Sequence, residues 1–307
     1  MPKIIVILIQ LSLFLALSPF FSGMISKVKN NIRMRQGQSI FQPYFNLAKF
    51  FNKDEVIAQT ASWIFRVAPF VIFSSTLTAA LLIPLFFTSG PMNYTADFLA
   101  LIFILGLGRF FMALAGLDTG SSFTGMGSSR EMFISSLAEP VLCLVVFSLG
   151  MQFGSTNIAA FNGPHTVSVS CVIAGIALFL AAIAETSRIP VDNQETHLEL
   201  TMVHEAMVLE YSGKRLAFIE MSAYIKQMIW FSLIAQIVFP SILPDVFTFS
   251  AVGIWFLWYL AKMSLIALAV SLIEVSVAKM RLFRVADFLG FAFTLAVISS
   301  ICAILGV

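Results

Sequence analysis

Apolar stretches of about 20 residues recur along the whole chain, and each is long enough to cross a bilayer as an α-helix. Hydrophobic residues make up 59% of the sequence and charged residues 11%, whereas soluble domains are about one quarter charged. The pattern therefore predicts an all-α polytopic membrane protein, folded as one membrane domain over residues 1–307. The eight predicted spans are 4–25, 67–88, 98–117, 132–153, 167–186, 225–243, 249–273 and 286–306.

The first apolar stretch has an alternative interpretation as a cleaved signal peptide, because Lys3 precedes its apolar core. That core is longer than the core of a signal peptide, and Pro19 stands where small residues would form the cleavage site. We therefore interpret this stretch as a span.

Lysine and arginine are distributed unevenly between the two predicted sides of the membrane. If the N-terminus faces outward, 15 of the 18 fall on inside segments, Lys3 is outside, and Arg109 and Lys262 lie within spans. Cytoplasmic loops carry an excess of these residues, so we expect both termini outside a bacterial or archaeal cytoplasmic membrane. We interpret the basic residues as topological anchors and not as a surface for nucleic acid.

The cysteines offer no framework for a metal site. Cys143, Cys171 and Cys302 each lie within an apolar stretch, no Cys-x-x-Cys pair occurs, and the three histidines are scattered. Iron–sulfur and zinc sites need clustered ligands. We therefore expect this chain to bind no cofactor, so that any redox metals belong to other subunits.

The first inside loop, residues 26–66, contains a predicted amphipathic helix. Phe41, Tyr44, Phe45, Ala48 and Phe51 share one helical face of this segment. Such a helix lies in the membrane interface with its apolar side down, or packs against neighbouring spans. Both interpretations place it at the inner membrane surface.

A second inside loop concentrates acidic residues where the fifth predicted span leaves the bilayer. Carboxylates grouped at such a point are typical of proteins that handle cations, protons in particular. Seven of the 16 acidic residues fall here: Glu185, Asp192, Glu195, Glu199, Glu205, Glu210 and Glu220.

Part of this acidic loop also suits helix capping. Asp192 and Glu195 have the spacing of a capping pair. A helix over 193–209 would align both residues with Glu199 on one face. Gly213 is placed to end that helix. Capping leaves Glu185, Glu199 and Glu210 without a role. The pair His204-Glu205 lacks the second histidine of a zinc-protease motif, so we interpret His197 and His204 as structural.

Four ionisable residues fall within or at the ends of predicted spans. Arg109 and Glu139 lie at matching depths of about 10–12 Å from the inner side, so they could form an ion pair. Lys262 is near the middle of span seven, and Glu274 is at its inner end. Burial raises the pKa of a carboxyl group and a nearby cation lowers it, so a carboxylate subject to both can take up and release a proton. The alternative is that these charges only hold the helices together.

Several motifs resemble one protein family in the same order along the chain. Residues 185–192 (ETSRIPVD) and 210–213 (EYSG) resemble the signature of subunit 1 of respiratory complex I (NuoH) and of its counterpart in membrane-bound [NiFe] hydrogenases and formate hydrogenlyase. The first inside loop is similar in 35–37 (RQG), in 41–43 (FQP) and at Lys49.

Other motifs resemble the hydrogenase branch of that family. These are 116–121 (GLDTGS), 129–131 (SRE) and 278–281 (AKMR), together with Lys262 and Glu274. Arg130 and Glu139 are nine residues apart, which resembles the spacing that the family shows at its intramembrane glutamate. The resemblance covers essentially the full chain.

The resemblance implies a tilted ring of eight transmembrane helices that anchors a peripheral redox arm, with an interfacial amphipathic helix. It implies hydrogenase-like large and small subunits docked on the cytoplasmic face, carrying iron–sulfur clusters and a nickel–iron centre, and antiporter-like membrane partners. In complex I the ring encloses a quinone chamber. Here His197 stands where complex I usually has an acid, and the distance from Glu199 to Glu210 is three residues longer, which disfavours quinone binding.

The leading hypothesis is a non-catalytic membrane subunit of a multisubunit oxidoreductase that couples electron transfer to proton or Na⁺ translocation. The alternatives are a quinone-chamber subunit of a quinone reductase and a stand-alone secondary transporter. The residues predicted to carry the coupling are Arg109, Glu139, Glu185, Asp192, Glu195, Glu199, Glu210, Lys262 and Glu274.

Overall fold

The computed structural model describes residues 3–58, 60–84, 96–162, 168–193, 202–239 and 249–306. Within these ranges the chain is helical and contains no strand, which confirms the all-α class. A short 3-10 helix spans Ile158–Asn162. The α-helices are α1 Lys3–Ile32, α2 Gln42–Phe51, α3 Trp63–Leu82, α4 Phe98–Asp118, α5 Ser122–Phe153, α6 Val169–Glu185, α7 His204–Val208, α8 Gly213–Val238, α9 Phe249–Ser276 and α10 Leu282–Leu305.

Each predicted span overlaps one of these helices. Among the described residues, six helices (α1, α3, α4, α5, α9 and α10) are long and apolar enough to cross a membrane. Helix α6 is apolar but has only 17 residues, and α8 carries Lys226, Gln227 and Gln236 along its length. The chain is therefore a multi-pass membrane protein, and the count of eight spans stays a prediction.

Five helices form a closed ring. Helix α3 packs on α4, α4 on α5, α5 on α6, α6 on α8, and α8 returns to α3. Helices α1 and α9 lie against each other beside α8, and α10 packs on the outside of α5 and α6. The short helix α7 packs against α5 and α4. The ring thus encloses a space that α7 borders.

Two glycines allow the close packing around α5. A Cβ atom on Gly116 of α4 would lie 2.2 Å from the Ser128 Oγ of α5. A Cβ atom on Gly127 of α5 would lie 2.8 Å from the Ala206 Cβ of α7. Protein interiors have no slack for such overlaps. Glycine at these positions therefore sets the separation of α4, α5 and α7.

The prediction of one helix over 193–209 is wrong. Asn193, Met202 and Val203 are not helical, and α7 spans only His204–Val208. The physical reason is that the Asp192 carboxylate accepts hydrogen bonds from the backbone N–H groups of Val203 and His204, at 3.2 and 3.1 Å. A tertiary contact thus defines the start of α7.

The prediction that Gly213 ends a helix is also wrong, because Gly213 is the first residue of α8. Its φ of +56° lies in the left-handed region that favours glycine. A Cβ atom here would lie 2.8 Å from the Asp54 carbonyl oxygen. Gly213 therefore lets the segment after α2 pass close to the start of α8.

Candidate functional site

A cavity lies inside the helix ring. Part of its wall is apolar, with Ile72 from α3, Leu105 and Met112 from α4, and Ile219 from α8. The rest is densely ionisable, which is costly in a membrane protein and usually marks a functional region. The ionisable lining residues include Arg109, Glu131, Glu185, Arg188, His204, Glu205, Glu220 and Lys226.

Arg109 joins three helices at this cavity. Its Nη1 donates hydrogen bonds to the Glu185 Oε1 at the end of α6 and to the Ser135 Oγ on α5, both at 2.7 Å. Its Nη2 lies 3.6 Å from the Glu139 Oε1 on α5. The predicted Arg109–Glu139 pair is therefore present, although Glu185 is the closer carboxylate.

Glu185 is a buried carboxylate held between two cations. Arg109 approaches its Oε1, and the Lys226 Nζ on α8 lies 3.1 Å from its Oε2. Its side chain is 1% exposed. Two cations compensate for the loss of hydration that burial imposes on an ionised carboxylate.

A second ion-pair cluster surrounds Glu274 at the end of α9. Its Oε1 lies 2.7 Å from the Arg188 Nη1, and its Oε2 lies 3.2 Å from the Lys29 Nζ on α1. Arg188 also donates a 2.6 Å hydrogen bond to the Gln227 Oε1. Because Gln227 follows Lys226 on α8, adjacent residues connect the two clusters.

A second, mainly polar cavity borders the first. Ser22, Ser187 and Arg188 line both cavities, so Arg188 stands at their shared boundary. Glu274 and Asp192 line the second one. The Asp192 Oδ1 lies 2.6 Å from the Lys279 Nζ, which ties the start of the acidic loop to the segment between α9 and α10.

Helix α7 brings His204 and Glu205 to the main cavity. Burial raises the pKa of the Glu205 carboxyl to about 7, and the negative charges of Glu220 and Asp192 add to this increase. Burial also lowers the pKa of His204, assisted by the positive charge of Lys226. A carboxyl group near neutral pKa can exchange protons at physiological pH.

The structure separates some of the predicted site residues from this region. The Lys262 Nζ on α9 donates a hydrogen bond to the Phe239 carbonyl oxygen and lies 5.4 Å from the Trp258 ring centroid. Glu210, in the turn after α7, lines neither of the two cavities. Glu195 and Glu199 lie outside the described residues. A coupling role for each predicted residue stays a prediction.

Sequence reasoning missed several residues that the structure places at the cavities. The sequence analysis interprets Lys29, Arg188 and Lys226 only as topological anchors, and the structure adds that each pairs with a buried carboxylate. Glu131 and Glu220 also line the main cavity but are not among the residues predicted to carry the coupling. A usable signal existed for Glu131, since Glu131, Ser135 and Glu139 recur every four residues and so share one face of α5.

Comparisons with known proteins agree on one family. The sequence profile described as NADH dehydrogenase matches residues 3–305. Hydrogenase-4 component C of Escherichia coli (strain K12) is 36% identical over 245 residues, which cover 77% of this chain and 76% of that protein. Formate hydrogenlyase subunit 4 of the same strain is 29% identical over 280 residues, covering 90% of each chain.

A more distant relative is NADH-ubiquinone oxidoreductase chain 1 of Hyaloraphidium curvatum, 27% identical over 228 residues, which cover 71% of this chain and 75% of that protein. Among solved structures, one chain of the membrane-bound sulfane sulfur reductase, described as an archaeal respiratory membrane complex, superposes with a TM-score of 0.84. The alignment covers 99% of this chain and 100% of that one at 18% identity. This likeness shows that the fold is shared.

Proposed function

The chain belongs to the NADH dehydrogenase family that includes complex I subunit 1 (NuoH), and from this premise we propose that it is the membrane-anchor subunit of an energy-converting oxidoreductase. Its task is to couple electron transfer in a docked soluble arm to the translocation of protons or Na⁺. The named relatives are components of hydrogenase-4, formate hydrogenlyase and NADH-ubiquinone oxidoreductase. Of these three, the two from the hydrogenase branch align over more of this chain.

The observation that carries the proposal is a line of alternating charges that leads from Glu139, whose side chain is 53% exposed, to Glu185 and Lys226 inside the ring. It runs from Glu139 through Arg109 and Glu185 to Lys226, with successive N–O separations of 3.6, 2.7 and 3.1 Å. Arg109 and Glu185 are the buried members of this line, and charges this close in a low-dielectric interior interact strongly. A change of charge at one end, caused by a redox event in the docked arm, therefore alters the proton affinity of the carboxylates along the line.

The second cluster extends this line toward the polar cavity. Lys226 and Gln227 are neighbours in sequence, and Gln227 contacts Arg188, which pairs with Glu274. Arg188 borders both cavities. Water in the polar cavity would supply protons to this end, because the lining side chains offer several hydrogen-bond partners.

We place all eight apolar helices across the membrane, with both termini outside and the docked arm on the cytoplasmic face. Helix α2 lies in the inner interface, because its predicted apolar face is the exposed one: Phe41, Phe45 and Phe51 are 57%, 63% and 41% exposed, while Pro43 and Leu47 are buried. A C-terminal alkaline phosphatase fusion should be active and a C-terminal green fluorescent protein fusion dark. The reverse result would contradict this topology.

The partners follow from the proposal. The docked arm consists of hydrogenase-like large and small subunits that carry iron–sulfur clusters and a nickel–iron centre, and antiporter-like subunits adjoin this chain in the membrane. An affinity tag on this chain should copurify iron-containing soluble subunits from solubilised membranes. Purification of the chain alone, active as a transporter in liposomes, would instead support a stand-alone secondary transporter.

A quinone site is the second candidate, and the main cavity is the observation that favours it. Ligand pockets are typically lined mainly by apolar residues with a few polar groups. The wall of this cavity combines apolar residues with polar groups such as Tyr224. Protection of Tyr224 or Met112 from a photoreactive quinone analogue by excess quinone would support this function.

Inverted membrane vesicles that contain the whole complex test the leading proposal. The donor is whichever of formate, NADH or reduced ferredoxin the vesicles oxidise. Oxidation should quench a pH-sensitive fluorescent dye, and a protonophore should restore the fluorescence. Sensitivity to a sodium ionophore would assign Na⁺ as the ion. Donor oxidation that drives the movement of neither ion would contradict the proposal.

A further inference from the structure

Glu131 differs from the other carboxylates that line the two cavities. It is 6% exposed, lies on α5 at the main cavity, and has no ion pair or hydrogen bond to a described residue. Glu185 and Glu274 each have two cations. Glu220 lies one helical turn from Tyr224 on α8, and both line the main cavity. Glu205 has no such partner but is less buried.

This isolation bears on the protonation of Glu131. Arg109 and Lys226 line the same cavity but form no ion pair with Glu131, so an ionised carboxylate there would lose much of its hydration with little direct compensation. Proteins avoid this cost by keeping the group neutral. The surroundings of Glu131 therefore favour the protonated acid in the arrangement that the structure shows.

The position of Arg109 provides a way to reverse this preference. Glu131, Ser135 and Glu139 are spaced by four residues, about 6 Å of rise each, along one face of α5. The Arg109 guanidinium is hydrogen-bonded to Ser135, the middle residue, and lies 3.6 Å from Glu139. The guanidinium thus contacts α5 at Ser135, one helical turn from Glu131.

The charges around Glu131 come from several elements. Lys226 and Arg109 favour its ionised form, and Glu185 and Asp192 disfavour it. Helix α7, which packs on α5, adds titratable groups to the same cavity, and α10 begins with two exposed charged residues. The residues on α7 are His204 and Glu205, whereas Arg284 and Asp287 on α10 line neither of the two cavities.

We propose that Glu131 is the proton-loading carboxylate of the cavity, controlled by the position of Arg109; this inference depends on the coupling function proposed above. With Arg109 paired to Glu185, Glu131 holds a proton. When Arg109 turns from Ser135 toward Glu131, the O–H bond of Glu131 breaks, the proton passes to cavity water, and the new carboxylate pairs with the guanidinium. Glu185 keeps Lys226 as its counter-ion during this exchange.

Infrared spectroscopy of the purified complex at neutral pH tests the resting state. The wild-type complex should show a protonated-carboxyl C=O band that shifts on transfer to D₂O, and the Glu131→Gln variant should lose it. Asp287→Asn is the matched control, because Asp287 is exposed and should contribute no such band. Equal band intensity in wild type and Glu131→Gln would overturn the inference.

A functional readout uses the same variants in inverted vesicles. Donor-driven dye quenching, divided by the electron-transfer rate, should be lost in Glu131→Gln and kept in Asp287→Asn. Normal quenching in Glu131→Gln would overturn the inference. So would failure of this variant to assemble, since the amide reproduces the shape and neutrality of the protonated acid. Absence of quenching in wild type would contradict the coupling function, while the infrared band would still decide whether Glu131 is protonated.

Discussion

The Arg109 guanidinium lies 2.7 Å from the Glu185 carboxylate and joins the middle of α4 to the end of α6 inside the helix ring. Both side chains are almost fully buried, at 6% and 1% exposure. Lys226 contacts the other oxygen of Glu185. Glu185 is therefore the point where three helices of the ring are held together by charge.

Removal of Glu185 should strongly destabilise the protein. In the Glu185→Ala variant two buried cations lose their shared counter-ion, and breaking a buried pair typically costs about 3–5 kcal/mol. The thermal unfolding midpoint of the detergent-solubilised complex measures this loss. Glu55→Ala is the control, because Glu55 pairs with Arg215 at a more exposed site, where such pairs contribute about 0–1 kcal/mol. Equal losses in the two variants would contradict the role given to Glu185.

Two glycines on one helix provide a matched test of the packing between α5 and α7. The Cβ atom of Gly127→Ala would lie 2.8 Å from the Ala206 Cβ and 2.9 Å from the Val203 carbonyl oxygen, so α7 must shift. Overpacking of this kind costs about 1–3 kcal/mol. In Gly125→Ala the nearest atom is 3.9 Å away, and a glycine-to-alanine change within a helix is then worth a gain of about 0.5–1 kcal/mol. The thermal unfolding midpoint should therefore fall in Gly127→Ala and rise in Gly125→Ala. Equal shifts in the two variants would contradict the close packing of α5 and α7.

The Asp192 carboxylate should protect specific backbone amides from hydrogen exchange. It accepts from the N–H groups of Val203 and His204. Hydrogen bonds to charged groups are worth about 1.5–3 kcal/mol, so Asp192→Ala should speed exchange at these two amides by at least about tenfold. The Tyr211 amide, bonded to the Val208 carbonyl oxygen, serves as an internal reference. Unchanged protection at Val203 and His204 would show that Asp192 does not hold α7.

Stability should fall as pH rises through the titration of Glu205. The pKa of Glu205 is raised from 4.5 to about 7, so between these values the folded state binds more protons at this site than the unfolded state. The free energy of unfolding then decreases with rising pH across this window. Glu205→Gln should reduce the difference in thermal midpoint between pH 5 and pH 7.5. An identical pH dependence in both proteins would mean that Glu205 titrates as an ordinary surface acid.

The helices were predictable from sequence because membrane spans follow from local composition. The apolar stretch 98–117 coincides with α4, Phe98–Asp118, and the matching depths of Arg109 and Glu139 correctly indicated their contact. The dominance of Glu185 over Glu139 as the partner of Arg109 could not be predicted. This preference depends on where the end of α6 lies relative to α4. The depth of a residue along its own helix carries no information about that position.

The remaining differences have the same origin in tertiary contacts. The start of α7 depends on the reach of Asp192 across the acidic loop. Lys29 and Lys226 were counted only by side of the membrane, and that count does not distinguish an exposed anchor from a buried ion pair. Glu131 lies one residue before the predicted span 132–153, so its place on the α5 stripe with Ser135 and Glu139 was overlooked.

Glu139 is the group whose loss most directly tests coupling through the charge line. The measurement is donor-driven proton uptake per electron transferred in inverted vesicles that contain the whole complex with Glu139→Gln, beside wild type and Asp287→Asn. The account predicts that the Glu139→Gln complex assembles and transfers electrons but takes up no protons, while the control matches wild type. Proton uptake per electron equal to wild type in Glu139→Gln would contradict it.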